Sequence, residues 1–186
     1  MKKLICLLIL GSLALTQVVA QVHLKGQRFY DVQAGLTDGF HLANNRWGMN
    51  ILFSTGIYNR KYNAWKTTLS VIQKPLPVIG PESPSFARQF GVGYGYEFNL
   101  WRNPIRTRFI RGIIQPILLY ESAGAMQMTP DSTKLQQGTS IILLGGDIGF
   151  DIELSPVEIS VRQRWQPKSA ILPLHTLFSI GWRFHR

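Results

Sequence analysis

The side chains able to do chemistry in this chain are few and badly spaced for catalysis. Four histidines, His23, His41, His175 and His185, share no metal-ligand spacing, and the single cysteine, Cys6, cannot complete a site. His175 and Ser179 fall on one face of an extended segment. Two residue pairs put them ~13 Å apart along a strand, beyond a nucleophile–base hydrogen bond. A hydrolase pairing His175 with a serine from another strand has no support in the spacing. Gly91-x-Gly93-x-Gly95 resembles a phosphate-cradling loop in composition, but it sits inside a strand pattern, not between a strand and a helix. Gly145-Gly146 reads as a place where bulky neighbours approach the backbone. Nucleophile, base and orienting group cannot be assembled, so neither an enzyme nor a cofactor or metal site is expected.

Charge at alternating positions is what does recur. Asp31, Lys66, Glu97, Arg111, Asp147, Asp151, Glu158, Arg162, Arg164 and Arg183 each fall on the small or polar side of an alternating segment, and both signs occur equally. Charges turned inward must be paired and hydrogen-bonded. The chemistry predicted for them is a network of salt bridges that fills an interior, not a reaction and not an ion path.

Strands must position such a network, because only period-two alternation separates the two kinds of side chain. In Phe86–Phe98 the even positions are Phe86, Arg88, Phe90, Val92, Tyr94, Tyr96 and Phe98, whereas the odd ones include Gly91, Gly93, Gly95 and Glu97. A membrane-spanning strand needs ~9–11 residues, and this alternation exceeds that. Arg88, on the apolar side, lies close enough to a strand end to snorkel to headgroups. The glycine column is expected to make room for Arg111 and Lys66.

The same pattern recurs along the chain. Gln27–Thr37 sets Tyr30, Val32 and Leu36 against Asp31, Gln33 and Thr37, and Trp47–Tyr58 is regular except at Leu52. Tyr62–Gln73 turns Trp65, Leu69 and Val71 out and Lys66, Thr68 and Ser70 in. In Arg106–Glu121, Arg111, Gln115 and Glu121 point in, Ile110, Ile114, Leu118 and Tyr120 point out, and Pro116 predicts a bulge or bend. Thr139–Leu154, Val157–Trp165 and Leu174–Phe184 complete eight strands.

The connections also sort by length. Tight ones fall at Asn59-Arg60-Lys61 and Ser155-Pro156, and long ones at Lys74–Pro84, with its prolines, and Ala123–Gly138. Short periplasmic turns, longer external loops and an even strand number mark outer-membrane barrels, as do aromatic residues near strand ends, here including Trp47, Trp65, Trp101, Trp165 and Trp182. The predicted fold is all-β: one antiparallel β-barrel of about eight strands, of outer-membrane type, with both termini periplasmic. An eight-stranded interior is just wide enough to be filled by side chains. The alternative is a soluble periplasmic or surface barrel that holds a small apolar ligand on an inward apolar face.

The chain begins as an exported protein would. Lys2 and Lys3 precede an apolar run, Leu4–Leu15, and Val18-Val19-Ala20 fits a small-residue cleavage site. Residues 1–20 are therefore read as a cleaved signal peptide and 21–186 as the barrel domain. The mature chain then has no thiol. Of 20 Lys and Arg, losing two leaves 18 against 10 Asp and Glu. The basic residues are scattered singly with no run of five or six, so direct binding of nucleic acid is not expected.

On these segments the chain resembles the TraO family of conjugative transposons from Bacteroides-type mobile elements. The resemblance is carried by Gln27-Arg28-Phe29-Tyr30-Asp31-Val32-Gln33-Ala34-Gly35-Leu36, by Gly91-Val92-Gly93-Tyr94-Gly95-Tyr96 and by Ser179-Ile180-Gly181-Trp182-Arg183-Phe184. It covers essentially the whole mature chain as a pattern of strands and glycines. Membership implies a cell-envelope component of a DNA-transfer apparatus, with outer-membrane lipid and other envelope proteins as partners and no small-molecule substrate. It brings no catalytic or ligand residues. His185-Arg186 follow Phe184 where an aromatic end is expected.

Overall fold

In the computed structural model the described residues are 23–38, 47–59, 62–75, 86–105, 107–123, 139–169 and 173–186. The signal-peptide segment and most of both long loops lie outside them, as do Arg60, Lys61 and Arg106. Eight strands run in chain order: β1 (Arg28–Thr37), β2 (Gly48–Tyr58), β3 (Ala64–Pro75), β4 (Phe86–Arg102), β5 (Arg108–Ala123), β6 (Thr139–Leu154), β7 (Val157–Trp165) and β8 (Leu174–His185). Each pairs antiparallel with its neighbours, and β1 pairs with β8 to close the barrel. Closure leaves no sheet edge, so every strand can meet hydrocarbon without unpaired backbone groups.

The alternation read from the sequence is the alternation of the wall. In β2, Gly48, Asn50, Leu52, Ser54, Gly56 and Tyr58 are buried and the residues between them face outward. Polarity is inverted relative to a water-soluble core. Among the largest fully buried side chains are Arg111, Arg162, Arg164 and Arg183, while Met49, Ile142 and Leu144 are 69–70% exposed. Soluble proteins bury apolar side chains and almost never fully bury unpaired arginine.

Three details differ from the sequence reading. β4 continues past Phe98 to Arg102 and β3 reaches Pro75, so the connections after them are shorter than predicted. The β-bulge lies at Asn99–Trp101, opposite Arg111 and Ile110. No shift occurs at Pro116, which faces outward and pairs with Gly146 in an unbroken β5–β6 register. Proline lacks the N–H of a ladder bond, but one missing donor leaves the register intact here. The glycines of β4 also make room for different side chains from those expected. A Cβ at Gly95 would overlap the Ile114 carbonyl and Gln115, one at Gly93 would crowd Gln115, and one at Gly91 would meet Ser70 and Leu119. The space serves Gln115 and Leu119 of β5 and Ser70 of β3, not Arg111 or Lys66.

Candidate functional site

The ends of β2, β4, β6 and β8 and the starts of β1, β3, β5 and β7 lie at one mouth, here termed the terminal end because both described chain ends are there. Its innermost layer is aromatic. Phe29, Tyr58 and Phe109 point inward from β1, β2 and β5 and are at most 1% exposed. His23, ahead of β1, packs its ring 4.2 Å from Phe109 and 4.3 Å from His185, and its Nε2 lies 2.9 Å from Glu153 Oε1. His23 thus folds back into this mouth. Burial lowers the His23 pKa, against a smaller opposing pull from Glu153, so the ring is neutral at neutral pH.

Above the rings lies the charge network. Arg183, on β8, reaches across the barrel. Its Nε and Nη2 donate to Asp31 at 2.7 and 3.0 Å, its Nη1 and Nη2 to Glu97 at 2.8 Å each, and its Nη2 to Glu158 at 2.8 Å. Lys66 Nζ, from β3, stands 2.9 Å from Asp31, 3.1 Å from Glu97 and 3.2 Å from Asp151. Arg111 pairs with Glu153 and lies 3.2 Å from Glu97. Arg162 bonds Ser160 at 2.9 Å and Asp151 at 3.3 Å, and Ser160 donates to Asp151 at 2.5 Å. One level further, Arg164 grips Asp147 through Nε and Nη2 at 2.7 and 2.9 Å. Gln115 also donates to Asp147 at 3.0 Å, and Thr68 donates to Gln115. All ten charged residues singled out from the sequence are buried in this lumen. Forked guanidinium pairs of this kind fix geometry as well as charge.

Sequence reasoning missed several members. Glu153 falls on the inward face of its strand, so parity alone could have added it. His23 precedes any periodic segment, and no pattern signals that it folds back. At the opposite mouth, Asp38 accepts from Lys74 Nζ at 2.5 Å and from the Thr176 N–H at 2.8 Å, and lies 3.0 Å from His175 Nδ1. Burial alone would raise the Asp38 carboxyl. The hydrogen bonds from His175, Lys74 and Thr176 outweigh it and hold the group well below the usual carboxylate range. The sequence pattern starts a loop at Lys74, yet Lys74 is the last inward residue of β3. Beside it, Gln89 and Ser169 donate to Glu121 at 2.6 and 2.5 Å.

Among the described residues two constellations have the composition of metal sites, although sequence spacing suggests none. His23, Glu153 and His185 converge at the terminal end, and Asp31, Glu97 and Glu158 in the lumen. In both, the carboxylates already face cations: Arg111 and Arg183 at Glu153, and Lys66 and Arg183 at the acidic trio. A divalent cation would have to sit beside guanidinium groups, and the donor sets do not fit one. His175, directed at Asp38, and Ser179, bonded to Gln33 at 3.1 Å, do not meet.

A closed eight-stranded antiparallel barrel with charges inside and an apolar wall outside is an outer-membrane type of barrel. Solved structures agree in fold. Neisserial surface protein A matches with a TM-score of 0.51 and 11% identity over 84% of this chain and 95% of that one. Ail, the attachment invasion locus protein of Yersinia pestis in complex with the heparin analogue sucrose octasulfate, matches with a TM-score of 0.50 and 12% identity over 87% and 100%. No curated protein matches the chain in sequence. The model of the family described as conjugative transposon protein TraO matches residues 24–185. The chain belongs to that family.

Proposed function

We propose that this protein is an outer-membrane barrel that serves a conjugative transfer apparatus as an accessory or assembly component, acting by contact with other envelope proteins and not by catalysis. The observation that carries the membrane reading is the apolar outer wall around a salt-bridged lumen. The role in transfer rests on the family. An interior filled by Arg183, Lys66, Arg111 and their carboxylates has no room for a DNA strand, so the transferred strand passes elsewhere. The same filling disfavours a soluble barrel that holds an apolar ligand inside. Partner contacts then fall to the turns and loops, Lys74–Pro84 and Ala123–Gly138 foremost, most of which lies outside the described residues.

Location is tested by density fractionation of carbonate-washed membranes. The expected result is recovery with the outer membrane, and recovery in the soluble periplasm overturns it. Deleting the gene from its mobile element and scoring transfer tests the role. Transfer should fall, and unchanged transfer would remove the functional half of the proposal while leaving the barrel.

A further inference from the structure

Charge is sorted by side of the wall. Every acidic residue among the described ones is buried, yet the described lysines and arginines that remain exposed are Lys25, Arg28, Arg88, Arg102, Arg108, Lys168 and Arg186. The outer surface described is therefore cationic with no acidic residue to balance it. The distribution is also uneven along the barrel. Lys25, Arg28, Arg102, Arg108 and Arg186 all lie at the terminal end, where Arg28 and Arg186 are joined by reciprocal backbone hydrogen bonds. Arg102 is braced over the Tyr62 ring at 4.1 Å.

Below Arg28 the outer wall is dented. Thr55 and Thr67 face each other across the β2–β3 ladder, both half-buried and small beside Tyr30, Ile57, Trp65 and Tyr94. Thr55 gives its hydroxyl to the Phe29 carbonyl at 3.1 Å, so that donor is already spent on the backbone. Trp65 and Tyr94 stack at 5.4 Å and 5° to form one bank. The result is a groove of about 470 Å³ on the outer wall with Arg28 at its rim. A second outer groove of about 430 Å³, between Leu69, Phe90 and Leu118, has no charged residue in its lining.

We propose that the Arg28 groove holds an anionic phospholipid, with the phosphate group against Arg28 and an acyl chain lying between Tyr30, Ile57 and the Trp65–Tyr94 stack. The neighbouring basic residues of the terminal rim strengthen the preference for negative headgroups, since each cation near such a surface adds attraction. The second groove takes an acyl chain without selecting a headgroup. This inference rests on the membrane reading above.

The test equilibrates the purified full-length mature barrel in detergent with equal amounts of palmitoyl-oleoyl phosphatidylglycerol and phosphatidylcholine, then counts retained lipids by native mass spectrometry. The unmodified protein should retain phosphatidylglycerol preferentially. Arg28→Gln should reduce that preference about fivefold, the effect of one basic side chain near an anionic surface. Arg88→Gln, on the outer wall toward the other end, should leave it unchanged. Equal retention of the two lipids, or an unchanged preference in Arg28→Gln, overturns the proposal. So does loss of the preference in Arg88→Gln alone. Heat-modifiable gel mobility of each variant verifies folding, and a folded, lipid-embedded barrel without headgroup preference would refute this inference while leaving the membrane reading standing.

Discussion

At the terminal end of the lumen Arg183 alone reaches four carboxylates, from β1, β4, β6 and β7, and Lys66 shares three of them. At the opposite mouth Asp38 sits just beyond β1 and takes its bonds from Lys74, His175 and the Thr176 N–H. The first region is a lattice in which each charge has several partners across the barrel. The second is a staple, local to one loop and the strands beside it. Redundancy raises what depends on each member of the lattice, because removing one cation exposes several buried anions at once. It also makes the lattice insensitive to the solvent, from which it is shut off, whereas the staple lies at the mouth.

The largest effect should follow Arg183→Ala, which leaves Asp31, Glu97 and Glu158 short of a cation. Removing one partner of a buried pair costs ~3–5 kcal/mol, and unfolding in urea should reveal a loss of that order. Arg162→Ala should cost less, on the order of 1–3 kcal/mol, because Arg162 has one carboxylate partner, Asp151, and that group keeps Lys66. Its planar-bilayer conductance should stay at baseline. Steady channel currents in the unmodified protein would contradict the filled lumen.

Asp38→Asn should cost about 1–2 kcal/mol at neutral pH, a charge-assisted hydrogen-bond loss discounted for the mouth position. Its folded pKa is depressed, so its contribution is complete above the unfolded value of roughly 4, shrinks progressively below it and is gone only once pH falls through the folded value. The unmodified barrel should therefore lose part of this increment at pH 3 and Asp38→Asn should not, as midpoints at pH 7 and pH 3 would show. If the difference between the two proteins is the same at both pH values, the staple is not ionic.

The smallest effect concerns His23. Its folded pKa is also depressed, but for a base this means that the unfolded chain binds the extra proton. Stability of the mouth around His23 should fall as pH drops below roughly 6.5. Hydrogen exchange at residues 24–27 should quicken between pH 7.5 and 5.5 and stay slow in strand interiors.

Period-two alternation made the wall legible. Leu52, the one residue that broke the β2 pattern, is indeed inside and fully buried, so the face followed position and not residue type. Parity likewise put Asp31, Lys66 and Arg183 on one side of the wall. It could not say that Arg183 would reach both Glu97 and Glu158, because barrel closure and stagger decide which inward residues share a level. Single residues misled where a local rule met a strong ladder. Pro116 predicts a bend in β5, but its pairing with β6 continues through it, and the β4 register is the same on either side of the unpaired Gln115-Pro116 step. His23 and Asp38 lie outside the strands, where no periodicity exists to place them.

The medium that the outer wall meets decides between a membrane barrel and a soluble one, and the tryptophans can report it. All 5 tryptophans, Trp47, Trp65, Trp101, Trp165 and Trp182, are exposed on the outer surface. Reconstitution into vesicles of brominated phosphatidylcholine, compared with the unbrominated lipid, should quench most of the tryptophan emission. Emission of equal intensity in the two lipids would mean that the apolar face does not touch hydrocarbon, and would contradict the membrane barrel outright.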